Sequence, residues 1–332
     1  IPFSFNKDKY YTGSRDIVVF HERMENSIEL SDAMLFLGSD DERSKVKLSN
    51  GQLIDFLPTR DFHITVDKQK VIESGTVQPG DSSLIADSVE FNINKNYLAK
   101  SEWAILNIIA ANNWERPVYI NHSLLHTGNI FFKDWLQFEG LAYRFVPIKT
   151  EMKGLYAGHI NTDILYDRVM NKYVWGNVND PDIFLDDYNK RELKIIQARA
   201  IFPRLAEALI NERQKDKAVK VLDRMFDLFP DEIIPLTYDS FHATEQYLRA
   251  GETKKGSEKI KRMAVNSLDM INYYVTLPEF FAKLVEEEQE REMGQLQNLM
   301  VLTRRYGLDE LHKEIDSRLQ KLINRLSDES GP

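Results

Sequence analysis

The spacing of residues in IFPRLAEALINERQKDKAVKVLDRMFDLFP limits the fold more than any other stretch of this chain. Phe202, Leu205, Ala206, Leu209, Ala218, Leu222, Met225 and Pro230 fall at offsets 4, 7, 8, 11, 20, 24, 27 and 32 of one unit. This is the pattern of the ~34-residue tetratricopeptide repeat. Small residues stand where two antiparallel helices cross closely, and proline stands where the second helix must stop. A second unit fits less closely. Ala243, Thr244, Tyr247, Gly256, Ile260 and Met263 take offsets 7, 8, 11, 20, 24 and 27, with a four-residue insertion between the units. Two repeats are fewer than the ~3 a free-standing array needs, so the helices that follow are expected to cap it. In the last of them Leu308, Leu311, Ile315, Leu319, Leu322 and Leu326 keep three-and-four spacing.

The chain ahead of the repeat reads differently. DIVVF at 16–20, HITV at 63–66, LIADSVEFNI at 84–93, PVYIN at 117–121 and LAYRFVPI at 141–148 have strand character. KVKLSNGQLIDFLP at 46–58 reads as a hairpin, with Asn50 and Gly51 as the two positive-φ residues of a type I′ turn. ELSDAMLFL at 29–37 has helical spacing, and a short helix is expected from Asp67 to Gly75. Ser101 is placed to cap a helix through EWAILNIIAANN. That helix must stop near Asn113, because Pro117 disfavours helix before it. Helix, tight junction and apolar strand suggest half of an α/β crossover, with Trp114 sealing the helix against the sheet edge and Glu115 and Arg116 in water. The fold class expected is a mixed α+β or α/β domain over residues 1–190. An all-α tetratricopeptide-like domain with capping helices follows over 191–332.

Composition sets outer bounds. Of 332 residues, 42% are apolar and 29% charged, so the chain is globular. A net charge of −9 argues against a general nucleic-acid binder. There is no cysteine, which removes disulfides and thiolate metal sites and suits an oxidising compartment such as a periplasm. No apolar run reaches the ~20 residues of a membrane span. The chain opens on IPFSF, without initiator Met, basic leader or apolar leader, as a piece of something longer would.

Two places carry candidate chemistry. The loop after PVYIN holds Asn121, His122, Ser123 and His126, close after Arg116, at the end of a strand where α/β sheets often place ligands. A histidine there could move a proton near neutral pH, and a hydrolase built on His122 or His126 is one reading. No third group is placed to orient them, and a polar cap on the next segment is the plainer expectation. Asn121-His122-Ser123 is also a formal N-glycosylation sequon, and Asp87-Ser88-Val89 has the form of a bacterial O-glycosylation acceptor. The second place is NVNDPDIFLDD, where Asp180, Asp182, Asp186 and Asp187 could hold a hard cation. Pro181 interrupts it, and N-capping of a short helix by Asp180 or Asp182 is the plainer reading. No phosphate loop, dinucleotide fingerprint or paired-His metal motif is present, so no cofactor is expected. His21, His63, His159, His242 and His312 receive no role.

Four stretches, YYTGSRD at 10–16, FLPTRDFHITVDKQKVIESGTV at 56–77, NNWERPVYIN at 112–121 and FEGLAYRFVPIK at 138–149, together resemble one family. It is the DUF2723 family of large Bacteroidetes membrane proteins, also called glycosyltransferase family 117. The resemblance covers nearly the whole chain, with the helical repeats as its tail. It implies a multi-spanning N-terminal half of the GT-C kind, related to protein O-mannosyltransferases that use lipid-phosphate sugar donors. The catalytic carboxylate of such enzymes lies in an early extracytoplasmic loop, so no catalytic residue is carried over to this chain. The Asn-Asp-rich strand-loop segment that usually precedes the first stretch is missing, which implies an exposed edge or a rearranged sheet. The resemblance implies a periplasmic region at a bacterial inner membrane, inactive alone. Its partners would be the membrane portion of the parent and a polypeptide acceptor or envelope protein held by the repeats. The alternative is an envelope interaction scaffold without sugar transfer.

Overall fold

The computed structural model describes residues 17–39, 41–126, 130–150, 158–192 and 198–329. The chain divides into two compact units, Ile1–Asn161 and Thr162–Pro332. The first is a mixed sheet region with flanking helices and the second is all-helical. The YYTGSRD stretch lies outside the described residues.

In chain order the first unit has strands β1 (Ile17–Phe20) and β2 (Ile28–Glu29), helix α1 (Leu30–Gly38), strands β3 (Lys45–Lys47), β4 (Leu53–Leu57) and β5 (Asp61–Thr65), and helix α2 (Lys68–Glu73). Strands β6 (Ser88–Asn92) and β7 (Tyr97–Ala99), helix α3 (Lys100–Asn112) and strands β8 (Tyr119–Asn121), β9 (Leu136–Phe138) and β10 (Ala142–Phe145) complete it. Three small sheets result, in the orders β3-β4-β1-β7, β2-β5-β6 and β8-β10-β9. Two pairings, β1 with β4 and β2 with β5, are parallel, and the other strand ladders are antiparallel. Helix α1 buries Leu30, Ala33, Met34 and Leu37, one stripe at three-and-four spacing. Phe36 sets its ring edge-on to Phe56 of β4.

Three local expectations change. The β3–β4 hairpin pairs Lys47 with Leu53, and the Leu48 N–H donates to the Gln52 carbonyl at 2.8 Å, which leaves residues 49–51 as a three-residue loop. Gly51 donates to the Leu48 carbonyl and has φ +85°, while Asn50 is not at positive φ. The turn is therefore a tight turn followed by a left-handed glycine, the three-residue alternative to type I′. Ser101 does not cap α3. The Glu102 carboxylate instead reaches back and accepts the Ala99 N–H at 2.8 Å, and it also pairs with Lys95. Nor is there a crossover after α3. Strand β8 pairs antiparallel with β10 and forms a sheet edge, burying only Ile120 of its three residues.

The junction before β8 is held by tryptophan. Asn113 and Trp114 both adopt left-handed φ, 44° and 60°. That conformation costs a non-glycine residue about 1–2 kcal/mol. Trp114 is buried, stacks on Phe145 at 5.2 Å and donates its indole N–H to the Thr65 carbonyl at 2.8 Å. Burying a tryptophan contributes about 4–6 kcal/mol at the usual area coefficient, so packing wins over backbone strain. Glu115 and Arg116 stay exposed.

The second unit comprises α4 (Thr162–Asp167), a π turn at 168–172, α5 (Asp187–Glu192), and the helices α6 (Ala198–Asn211), α7 (Lys215–Leu228), α8 (Phe241–Ala250) and α9 (Thr253–Tyr274). Helices α10 (Glu279–Leu284), α11 (Glu286–Arg305) and α12 (Asp309–Glu329) follow. Helices α6 and α7 form one hairpin, and α8 and α9 a second. Phe202, Leu205, Ala206, Leu209, Ala218, Leu222 and Met225 are all buried in the first, and Pro230 follows its end. Ala243, Thr244, Tyr247, Ile260 and Met263 are buried in the second. A Cβ on Gly256 would stand 2.8 Å from Leu248 Cγ and closer still to one of its methyls, so any side chain there would have to displace Leu248. The insertion between hairpins is tied down by Asp231, which accepts the Leu236 N–H at 2.6 Å, the Asn266 amide at 2.9 Å and the Arg262 guanidinium. Leu296, Leu299 and Leu302 of α11 and Ile315, Leu319 and Leu322 of α12 are buried where these helices pack on α9 and on each other.

The unit boundary at Asn161 and Thr162 lies upstream of the expected break near residue 190. Residues 162–190 belong to the helical unit and are held there by side-chain contacts. Trp175 packs 5.8 Å from Phe202 and 5.7 Å from Phe229, and Thr162 donates to Glu212 at 2.8 Å.

Candidate functional site

The loop after β8 is built as a cap. Asn121 ends the strand, and its Oδ1 accepts the Ser123 backbone N–H at 3.1 Å and the Ser123 hydroxyl at 3.3 Å. This closes the 3₁₀ turn His122–His126. The His122 ring lies 5.7 Å from Tyr143. The side chain of His126 is outside the described residues. Arg116 is exposed, and its carbonyl accepts the Asn112 amide at 2.9 Å. The structure thus places Asn121, His122 and Ser123 in one capped turn and leaves Arg116 at the preceding junction.

The acidic stretch does local work too. Asp180 Oδ1 accepts the Asp182 N–H at 3.0 Å within a turn, and neither caps a helix. The cap of α5 is Asp186, which accepts the Asn189 N–H and its side-chain amide, each at 2.8 Å. Those bonds, the backbone one first, hold the Asp186 carboxyl below the ordinary range. Asp187 begins α5 and is exposed. Among the described residues no cluster of three or more His, Asp or Glu is arranged to hold a metal ion.

The sheet β8-β10-β9 carries the most developed polar constellation of the first unit. Register places Arg144 beside Tyr119 on one side and Gln137 on the other. Alternation therefore gives this sheet an apolar face of Ile120, Leu136, Phe138, Tyr143 and Phe145 and a polar face of Tyr119, Gln137, Glu139 and Arg144. The polar face is not wet, for Glu139 is 1% exposed and Arg144 6%. Arg144 Nε meets Glu139 Oε1 at 2.8 Å, and Arg144 Nη2 donates to the Tyr119 hydroxyl at 2.6 Å. Arg144 Nη1 donates to the carbonyls of Gly75 and Thr76, fastening that turn over the sheet. Gln137 donates to Glu139 Oε1 at 2.7 Å. The hydrogen bonds of Arg144 Nη1 and Nη2 hold this buried pair in one geometry, and Tyr119, half exposed at the edge strand, is the member of the group that reaches water appreciably. Sequence reading passed over Glu139 and Arg144. The signal was there, a charge inside the apolar strand LAYRFVPI with a carboxylate five residues before it.

In the helical unit a second polar arrangement links the first helices of successive hairpins. Arg249 of α8 reaches Glu207 of α6 at 3.0 Å and Asn211 at 3.0 Å, and His242 Nε2 lies 3.2 Å from Glu207. Burial pushes the His242 pKa down, against the pull of Glu207. Arg305 of α11 then meets Glu245 of α8 at 2.8 Å. These ties join α6 to α8 and α8 to α11.

No helix among the described residues is long and apolar enough to cross a membrane. Neither a curated protein nor a solved structure matches the chain. Residues 1–164, the first unit with three residues beyond it, match the family model described as TMEM260-associated domain 2, and it is to that domain that this part of the chain is similar.

Proposed function

We propose that this chain is the periplasmic, water-facing region of a multi-spanning membrane protein of the DUF2723 type, serving a GT-C-like glycosyltransferase by holding a polypeptide acceptor or partner protein. The observation that carries the reading is the polar row along α6, α8 and α11. Glu207, Asn211, His242, Glu245, Arg249 and Arg305 lie on the first helices of stacked hairpins, the side on which such arrays commonly bind extended polypeptide. The resemblance of the four stretches and the family match over residues 1–164 support the membrane-protein context. The capped loop at Asn121 and the locked Glu139–Arg144 pair do structural work, which supports a role in gripping a partner.

Two measurements test this. With a lipid-phosphate sugar donor and a Ser/Thr-rich unfolded polypeptide, the chain alone should give no transfer, and turnover would overturn the accessory role. Fluorescence anisotropy with that polypeptide should show binding that the charge reversals Glu245→Arg and Arg249→Glu weaken at least about tenfold. Binding indifferent to both would remove the row from the argument.

A further inference from the structure

We infer that this chain forms a two-fold dimer through its helical unit, each copy placing an acidic aromatic knob in a cleft of the other. The knob is α10. None of its residues is buried, and Phe280, Phe281 and Leu284 are 70%, 52% and 66% exposed. The two rings contact each other edge-on at 5.3 Å. Monomeric proteins rarely leave two phenylalanines and a leucine of one short helix in water. Charge around them is lopsided. Glu279, Glu286, Glu287, Glu288 and Glu290 stand against Lys283, which Glu279 already holds at 2.8 Å, and Arg291.

The cleft lies between α9 and α12, with a volume near 410 Å³. Val265, Leu268 and Leu322 line it with apolar surface, and Asp269, Arg318 and Lys321 supply its charges, one more positive than negative. Arg318 also pairs with Glu314 on its own helix at 2.7 Å. An aromatic insertion would bury about 150–250 Å² per ring. The acidic surround of the knob meets Arg318 and Lys321, which sets the sign of the contact and rules against an anionic lipid surface as its occupant.

Knob and cleft are neighbours in the chain, for Asn272 lines the cleft and Glu279 opens α10. Met270 and Tyr273, in the same stretch of chain, are exposed as well. Two complementary patches on one chain satisfy each other reciprocally about a two-fold axis, and such a contact closes at two copies.

Sedimentation velocity of the full chain over a concentration series tests this. The wild type should pass from monomer to dimer and stop there. Phe280→Asp with Phe281→Asp, and separately Arg318→Glu with Lys321→Glu, should each weaken the dimer at least about tenfold. An equimolar mixture of the two variants keeps one intact knob facing one intact cleft, and should recover a heterodimer that neither variant forms alone. All four positions are exposed, and a circular-dichroism melt checks folding. Should a double variant not fold, Phe280→Ser and Lys321→Glu singly carry the same comparison. A wild type that stays monomeric, a dimer that survives both variants, or a mixture that recovers nothing would overturn the proposal. So would a monomer whose α10 binds phosphatidylcholine vesicles.

Discussion

The two units solve one problem in opposite ways. Each must join elements distant in sequence. The helical unit does so mainly with small residues and apolar stripes, and its ion pairs Glu207–Arg249 and Asp223–Lys255 lie partly exposed at the rim. The sheet unit does so with a buried charge pair, Glu139–Arg144, which clamps the turn at Gly75 to the sheet across 69 residues. The difference is one of fragility. An apolar stripe fails gradually as volume is lost, whereas a buried ion pair fails at once when either partner leaves.

The sharpest break in this comparison is Glu139→Ala. It strands the Arg144 guanidinium in the interior and should cost about 3–5 kcal/mol in chemical denaturation. Replacing both partners, Glu139→Leu with Arg144→Met, should restore most of that loss, because desolvation of the pair nearly cancels its attraction. A double variant as weak as the single one would mean that the bonds to Tyr119, Gly75 and Thr76 matter more than the pair.

The corresponding test of the helical unit is Gly256→Val. Overpacking against Leu248 should cost up to about 3 kcal/mol, more than the ~1 kcal/mol gained by removing a helical glycine. In a Leu248→Ala background the penalty should shrink, giving a coupling of about 0.5–3 kcal/mol in a double-mutant cycle. Additive effects would show that the crossing is not where the strain lies.

Smaller effects refine the contrast. Burial raises the Asp231 carboxyl, but the Leu236 N–H, Arg262 and Asn266 outweigh it and hold the group below the ordinary carboxylate range. A depressed folded pKa gives stability that is present above the unfolded pKa of ~4 and is lost as pH falls through the folded value. Asp231→Asn should therefore cost on the order of 1 kcal/mol at neutral pH and flatten the acid limb of stability against pH. Hydrogen exchange should place the change in the link from 229 to 240. Gly51→Ala should be milder still, about 1 kcal/mol, since no atom stands near its absent Cβ and only the positive φ resists.

Legibility followed the range of the interactions. Phe202, Ala206, Ala218 and Tyr247 were readable because a helix repeats its buried face within a few residues, and a hairpin keeps both faces in one short window. The capping turn at Asn121 and the tryptophan seal at Trp114 were readable for the same local reason. The type I′ turn at Asn50, the Ser101 cap and the crossover into β8 were each misread where a neighbour competed. Gly51 alone took the positive φ in a three-residue loop, Glu102 reached the N–H that Ser101 was expected to serve near, and β10 rather than a parallel strand received β8.

The amino-acid order alone determined that a mixed sheet region precedes a helical array. It also set where the array's helices cross and that no thiol chemistry is available. Only the tertiary structure decided which carboxylate meets Arg144, which loop Asp231 secures, and that Phe280 and Phe281 stand exposed. Periodicity is a property of neighbours along the chain, whereas a salt link or a surface patch exists only after distant segments have been brought to the same place.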